Sequence, residues 1–110
     1  MRDYKLYLQD ILGAIESIQA FVQGMSLDDF RADDKTSSAV LRKFESIGEA
    51  AKHIPDDLRQ LNSRIPWTEM AGMRDRLIHA YFGVDFQLVW ETIQERIPEI
   101  KSHIQSMLSD

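Results

Sequence analysis

Apolar residues recur at steps of three and four along most of the chain, and this spacing predicts amphipathic α-helices. The alternation of apolar and polar residues that is typical of β-strands is not sustained anywhere. The first predicted helix ends near Gly24, and its apolar stripe consists of Leu8, Ile11, Leu12, Ile15, Ile18 and Val22. The pattern therefore predicts an all-α protein.

Polar capping residues and helix-breaking residues predict where the next helices begin and end. Ser26, followed by acidic residues, predicts the cap of a short helical turn. A second long helix is predicted from about Asp34 to the residues before Pro55, because proline disfavours helical geometry at the residue that precedes it. Residues 56–61 predict one more turn. Small residues in the second long helix would let another helix approach closely: Gly48, Ala50 and Ala51.

The second half of the chain predicts two more helices. The third is expected from about Trp67 to Ala80, with Pro66 at its start and Gly83 as its terminator. Asp85 is predicted to cap the fourth helix, and Pro98 should kink it, because a proline inside a helix removes a backbone hydrogen bond. Long amphipathic helices with short connections predict an antiparallel four-helix-type bundle with a short extra turn.

Length and composition narrow this prediction. The chain has 110 residues, of which 44% are apolar, and this predicts one domain over residues 1–110. It contains no cysteine, which excludes disulfides and thiolate sites and fits the cytoplasm. The N-terminal segment lacks the apolar core of a signal peptide, and no apolar run approaches the roughly 20 residues that a membrane span requires. The predicted location is the cytoplasm, with no membrane partner.

The net charge of −5 argues against broad attraction to nucleic acid, because phosphate binding relies on clustered Lys and Arg side chains. A nucleic-acid site would therefore need a local positive potential. One cleft that two subunits build together would provide it.

Arg74 interrupts the apolar face of the third predicted helix. On a helical wheel that face is formed by Trp67, Met70, Ala71, Met73, Leu77, Ile78, Ala80 and Tyr81. A guanidinium is rarely buried alone, so Arg74 must pair with a carboxylate, extend to water or line a polar cleft at an interface. The pattern leaves these three alternatives open.

Asp75 and His79 are neighbours on the same wheel, four residues apart, so that the carboxylate could orient the imidazole. Arg74 and His79 point roughly 140° apart on a helix, and a two-fold dimer would bring two such helices together. On the spacing alone, however, an interface arginine and an ordinary surface histidine are the favoured interpretation.

Carboxylates and histidines at helical spacing raise the alternative of a metal site. The two sets are Glu45, Glu49 and His53, and Glu99 with His103. Metal sites in helical bundles need inward-facing carboxylates from several helices, whereas the first set lies on the polar face of one helix. A solvated face with an Arg42–Glu45 pair is therefore favoured, and neither a metal nor a cofactor is predicted.

The segment MRDRLIHAY contains Arg74, four residues, His79, one residue and Tyr81. This pattern resembles the motif of the HepT-like branch of the HEPN superfamily. The segments RKFESIGEAAKHIP at 42–55 and IPWTEMAGMRDRLIHAYFGVD at 65–85 are similar to the two best-marked segments of that family, in the same order. The resemblance extends over nearly the whole chain.

The resemblance implies a metal-independent endoribonuclease that dimerises and acts as a toxin. Its antitoxin would be a minimal nucleotidyltransferase of the MntA type. The catalytic residues would be Arg74 and His79, supported by Asp75, and Tyr81 would receive AMP from the antitoxin. The RNA 2′-OH would attack the adjacent phosphate, with His79 moving protons and Arg74 holding phosphate oxygens.

A second function is compatible with the same residues. The bundle would then be a non-catalytic subunit that binds a nucleotidyltransferase and serves as its substrate. The sequence does not separate this function from the ribonuclease.

Overall fold

The computed structural model describes residues 3–79 and 83–109, with the backbone alone at positions 78 and 79. Its helices are α1 (Tyr4–Phe21), α2 (Leu27–Ala32), α3 (Asp34–Ala51), α4 (Asp56–Leu61), α5 (Trp67–Ala71), α6 (Met73–Leu77), α7 (Phe86–Glu91) and α8 (Ile97–Leu108). A π-helical segment, Thr92–Arg96, joins α7 to α8. The short strands β1 (Ile78–His79) and β2 (Gly83–Val84) pair antiparallel. The predicted all-α helical fold is confirmed, with this hairpin as an addition.

Side-chain caps begin the helices where the sequence predicts them. The Ser26 hydroxyl accepts a hydrogen bond from the Asp29 N–H at 3.1 Å, and the Asp29 carboxylate accepts one from the Ser26 N–H at 3.0 Å. The Asp85 carboxylate accepts the Leu88 N–H at 3.0 Å at the start of α7. Gly24 has a φ of +79°, which allows the chain to turn back after α1.

The core forms where α1 packs against α3 and against α8, and α5 and α6 cover another side of α3. Helix α2 packs against α3 and α7. The largest fully buried side chains are Phe30, Phe44, Leu8, Ile11, Ile15, Ile18, Ile47, Met70, Leu77, Ile97, Ile100 and Ile104. The stripe predicted for the first helix is buried here, apart from the partly exposed Leu12. No helix in the described part of the chain is long and apolar enough to span a membrane.

At Gly48 the helices α3 and α5 approach each other closely. A Cβ atom at this position would lie 3.1 Å from the carbonyl oxygens of both Met70 and Ala71. Such contacts are closer than carbon and oxygen normally approach, so only glycine fits without a backbone shift. The close approach that the small residues predict is confirmed.

The prediction of one helix from Trp67 to Ala80 is wrong. Gly72 caps α5, its N–H donating to the carbonyl of Thr68, and α6 then ends at Leu77. Beyond that point the backbone enters the hairpin, because the Leu77 carbonyl accepts the Asp85 N–H at 3.1 Å. Gly83 has a φ of +79° and lies inside the hairpin rather than terminating a helix. Position 80 lies outside the described residues.

A π-helical irregularity lies directly before Pro98, the residue at which a kink is predicted. Helix α8 begins at Ile97 with Pro98 in its first turn, directly after the π-helical segment. The wider π turn precedes the residue that lacks an N–H, which is where such an irregularity relieves a missing hydrogen bond. The Thr92 hydroxyl donates to the Leu88 carbonyl at 2.7 Å at the start of this segment.

Alanine at Gly48 should lower the free energy of unfolding by about 1 kcal/mol, because crowding against two carbonyls exceeds the gain in helix propensity. Gly13→Ala in α1 is the matched control. A Cβ at Gly13 meets nothing within 4 Å, so this variant should gain about 1 kcal/mol. Urea unfolding of the two variants measures both values. Equal stabilisation by both substitutions would contradict the close approach.

Asp33 should make the stability of the protein depend on pH in the acid range. Its carboxylate accepts the Thr36 N–H at 2.9 Å and the Thr36 hydroxyl at 2.7 Å. These hydrogen bonds lower the pKa of Asp33 below its ordinary 3.8. A lowered pKa in the folded state stabilises the fold above the unfolded pKa, and this contribution is lost as the pH falls through the folded pKa.

The stability difference between wild type and Asp33→Asn should therefore be largest near neutral pH. It should narrow as the pH falls below about 3.8. Urea unfolding across the acid range measures this difference. A difference of constant size between about pH 7 and about pH 2 would contradict the assignment.

Candidate active site

Arg74 lies at the surface of α6, with 49% of its side chain exposed. Its Nε–H donates to Glu45 Oε1 of α3 at 2.5 Å. Of the three alternatives that the sequence leaves open, the structure shows pairing with a carboxylate. The predicted position of Arg74 within a continuous apolar face is wrong, because the helix is interrupted at Gly72.

A cleft of about 290 Å³ separates α3 from α6 beside Arg74. It is lined by Phe44, Glu45, Gly48, Glu49, Lys52, Ala71, Arg74 and Asp75. Glu45 precedes Gly48 by three residues, and Arg74 follows Ala71 by three residues. The Glu45–Arg74 pair therefore lies one helical turn away from the close contact at Gly48.

Carboxylates surround the guanidinium of Arg74. The Glu45 hydrogen bond and charge raise the pKa of Arg74, and the charge of Asp75 acts in the same direction. The Asp75 Oδ1 atom lies 3.6 Å from Arg74 Nη1, and Asp75 itself is 87% exposed. Arg42 lies 3.7 Å from the other oxygen of Glu45, which confirms the predicted Arg42–Glu45 pair.

Charge in the cleft of one chain is not positive. Its lining has two cationic side chains, Lys52 and Arg74, and three carboxylates, Glu45, Glu49 and Asp75. Arg42 lies just outside this lining and adds one further positive charge. One chain therefore does not produce the local positive potential that RNA binding needs at this cleft.

Asp75 and His79 do not share a helix. Helix α6 ends at Leu77, and His79 belongs to β1, where its backbone pairs with Gly83. The prediction that Asp75 and His79 are neighbours on one helix is therefore wrong, and Asp75 lies beside Arg74 instead. The roughly 140° separation of Arg74 and His79, on which the predicted two-fold dimer was based, assumes that both residues lie on one helix. It does not hold in the structure. The side chain of His79 lies outside the described residues.

Tyr81, the predicted site of AMP transfer, also lies outside the described residues. The assignments of His79 and Tyr81 therefore stay predictions.

The residues of the alternative metal site have other contacts. Glu49 lies 3.7 Å from His53 and 3.9 Å from Lys52, and the His53 ring stacks on Tyr7 with centroids 4.8 Å apart. The Glu99 carboxylate lies 4.0 Å from Arg96. Among the side chains that the structure describes, no three His, Cys, Asp or Glu residues are arranged to hold a metal ion.

Glu69 fixes the position of α6 relative to the C-terminal helices. Its carboxylate lies 3.2 Å from Arg76 of α6 and accepts a hydrogen bond at 2.7 Å from Arg96 of the π-helical segment. One carboxylate on α5 thus connects α6, before the hairpin, with the π-helical segment that follows α7. This connection supports the helix that carries Arg74.

Two features of the site do not follow from the helical pattern of the sequence: the role of Glu45 and the break at Gly72. Glu45 was predicted as part of a solvated face, whereas it joins α3 to α6. Gly48 is the sequence feature that could have indicated Glu45. A helix that packs against Gly48 also lies close to Glu45, one helical turn earlier in α3. Gly72, between Ala71 and Met73, could have indicated the interruption.

Comparison with known proteins places the chain in a family. The sequence model of the family described as “Ribonuclease HepT-like” matches residues 11–107. No solved structure gives a significant match. The chain belongs to the HepT-like ribonuclease family, and the predicted class of enzyme, a ribonuclease, is confirmed at this level.

Curated relatives agree with this family over almost their whole length. The chain is 50% identical over 106 residues to “Probable ribonuclease HepT” of Thermococcus cleftensis, which covers 96% of each protein. It is 43% identical over 108 residues to a “Putative RNase” of Caldanaerobacter subterraneus, covering 98% of this chain and 96% of that protein. A “Putative RNase” of Methanocaldococcus jannaschii is 46% identical over 109 residues, covering 99% of this chain and 94% of that protein.

Proposed function

We propose that this chain is a metal-independent endoribonuclease whose catalytic residues are Arg74 and His79. The observation that carries the proposal is the half-exposed Arg74 guanidinium at a cleft, in a member of the HepT-like ribonuclease family. A permanently charged, forked side chain at a surface cleft suits two phosphate oxygens at once.

The proposed reaction uses the 2′-OH of the RNA itself as the nucleophile. A base takes the 2′-OH proton, the oxygen attacks the adjacent phosphorus, and the bond from phosphorus to the 5′ oxygen breaks. An acid then protonates the departing 5′ oxygen, leaving a 2′,3′-cyclic phosphate. An imidazole suits both proton transfers, which His79 would carry out, and Arg74 would compensate the charge that develops on the phosphate.

Asp75 is proposed as a supporting residue that acts through Arg74 rather than through His79. This change from the sequence-based prediction follows from its position, 3.6 Å from Arg74 Nη1 and on a helix that ends before His79. An exposed ion pair of this length is weak, so an RNA phosphate could displace it.

The active unit is proposed to be a homodimer of single-domain chains, each formed by residues 1–110. The support is electrostatic, because the cleft of one chain has more carboxylates than cations around Arg74. A second copy related by a two-fold axis would bring a second Arg74 and a second His79 to the same RNA. The two histidines would then divide the roles of acid and base.

The biological role proposed for the enzyme is that of a cytoplasmic toxin, silenced by a minimal nucleotidyltransferase antitoxin of the MntA type. The Tyr81 hydroxyl would attack the α-phosphate of ATP on that partner and release pyrophosphate. The resulting AMP ester, two residues after His79, would place a phosphate and a base where RNA has to bind. Its support is the motif Arg74, His79 and Tyr81 in the sequence.

Replacement of Arg74 or His79 by alanine should each reduce RNA cleavage by about 100-fold or more, because each removes a group that acts in the transition state. Cleavage of a mixed RNA pool by purified protein, with chelator present, measures the effect. Arg31→Ala on α2 is the matched control, since this exposed arginine does not line the cleft.

Growth of cells that express these variants distinguishes the alternative of a non-catalytic subunit. Loss of toxicity in both alanine variants, but not in the control, would support the nuclease. Equal toxicity of wild type and both folded variants would contradict it.

Tyr81→Phe should abolish AMP transfer by the partner nucleotidyltransferase, because it removes the hydroxyl that would receive the phosphate. Radiolabelled ATP and mass spectrometry measure the product, with Tyr7→Phe as the control tyrosine. Equal labelling of wild type and Tyr81→Phe protein would refute the assignment.

A further inference from the structure

Glu45 forms the one long-range side-chain hydrogen bond of Arg74 that the structure describes. The two residues are 29 positions apart in the sequence, and Arg74 Nε lies 2.5 Å from Glu45 Oε1. Their meeting depends on backbone packing, since Gly48 and Ala71 hold α3 and α5 together one turn away. The geometry of the arginine is therefore determined by a different helix from its own.

A guanidinium has two edges that can bind an oxyanion in a bidentate way. One edge contains Nε and one Nη nitrogen, and the other is the end formed by Nη1 and Nη2. A carboxylate at Nε engages the first edge and restricts rotation about the last side-chain bonds. The Nη1–Nη2 end then binds phosphate oxygens once they displace the exposed Asp75, whose Oδ1 lies 3.6 Å from Nη1.

The second oxygen of Glu45 is also engaged. Arg42 Nη1 lies 3.7 Å from Glu45 Oε2, so that Glu45 has one arginine at each oxygen. Arg42 is 80% exposed, and this contact contributes charge compensation more than binding energy. Arg42, Glu45 and Arg74 together have one net positive charge, and the exposed Asp75 beside Arg74 balances it until a phosphate displaces that carboxylate.

We propose that Glu45 is a positioning residue for RNA cleavage, which holds Arg74 by Nε and leaves the Nη1–Nη2 end to the scissile phosphate. The inference rests on the proposed function. This contact would restrict the orientation of a half-exposed arginine on a helix of only five residues. A side chain that had to be ordered during each reaction would cost the enzyme part of its rate.

The test compares Glu45→Ala and Glu45→Gln with wild type in RNA cleavage, with kcat and KM measured separately. Glu45→Ala should lower kcat by about 10- to 100-fold and change KM far less, because misorientation of a transition-state group affects the chemical step. Glu45→Gln should recover much of this loss, since its amide oxygen still accepts a hydrogen bond from Nε.

Glu49→Ala is the matched control. It removes the same charge from the same helix and the same cleft, but Glu49 contacts Lys52 and His53 rather than Arg74. Its effect on kcat should be much smaller than that of Glu45→Ala. Equal effects of the two variants would overturn the inference, because general electrostatics would then explain both.

A double-mutant cycle with Arg74→Lys tests whether Glu45 acts through Arg74. Lysine keeps the charge but has no Nε–H fork, so Glu45→Ala should have little further effect on kcat in that background. A full additional loss of activity would overturn the inference, because Glu45 would then act independently of Arg74.

An NMR measurement of the Arg74 Nε–H provides a readout that does not depend on activity. This proton should exchange slowly with water in wild type and rapidly in Glu45→Ala. A wild type with a protected Nε–H that cleaves no RNA would overturn the proposed function and this inference with it. A cleaving wild type whose kcat is unchanged by Glu45→Ala would overturn this inference alone.

Discussion

The close contact between α3 and α5 at Gly48 is the constraint on which the candidate site depends. A side chain there would meet two carbonyl oxygens at 3.1 Å, so the distance between the helices requires glycine. The cleft and the Glu45–Arg74 pair lie one helical turn away from this contact. A packing contact between backbones thus determines where the charged groups of the site meet.

Electrostatics limits what one chain can do with this site. The protein is acidic overall, with a net charge of −5, and the cleft lining has three carboxylates for two cations. In the proposed ribonuclease, binding to RNA would therefore depend on the orientation of a few guanidinium nitrogens more than on a broad positive surface. This balance is the physical reason for proposing that a second chain completes the site.

The hairpin after α6 changes the relation between the two motif residues. On one helix, Arg74 and His79 would diverge by roughly 140°. In the structure Arg74 lies on a helix, whereas the backbone of residue 79 is in an extended strand paired with residue 83. The direction of the chain changes at Leu77, between the two residues, so their relation does not follow helical periodicity.

Local chemistry in the sequence was sufficient for the class of fold and for most helix boundaries. The caps at Ser26 and Asp85 and the apolar stripe of α1 depend on neighbours within a few residues, so they can be predicted from the chain alone. The motif of Arg74, His79 and Tyr81 was likewise visible, and with its flanking segments it indicated the family that the comparisons confirm.

Only the tertiary structure decided the partner of Arg74 and the end of its helix. Helical periodicity continues through residues 67–81, and nothing local shows that the Leu77 carbonyl accepts a hydrogen bond from the Asp85 N–H. In the sequence, Glu45 cannot be distinguished from other exposed carboxylates. Its partner Arg74, on α6, follows it by 29 residues. These features depend on contacts between segments that are distant in sequence, and such contacts are decided by packing rather than by local propensity.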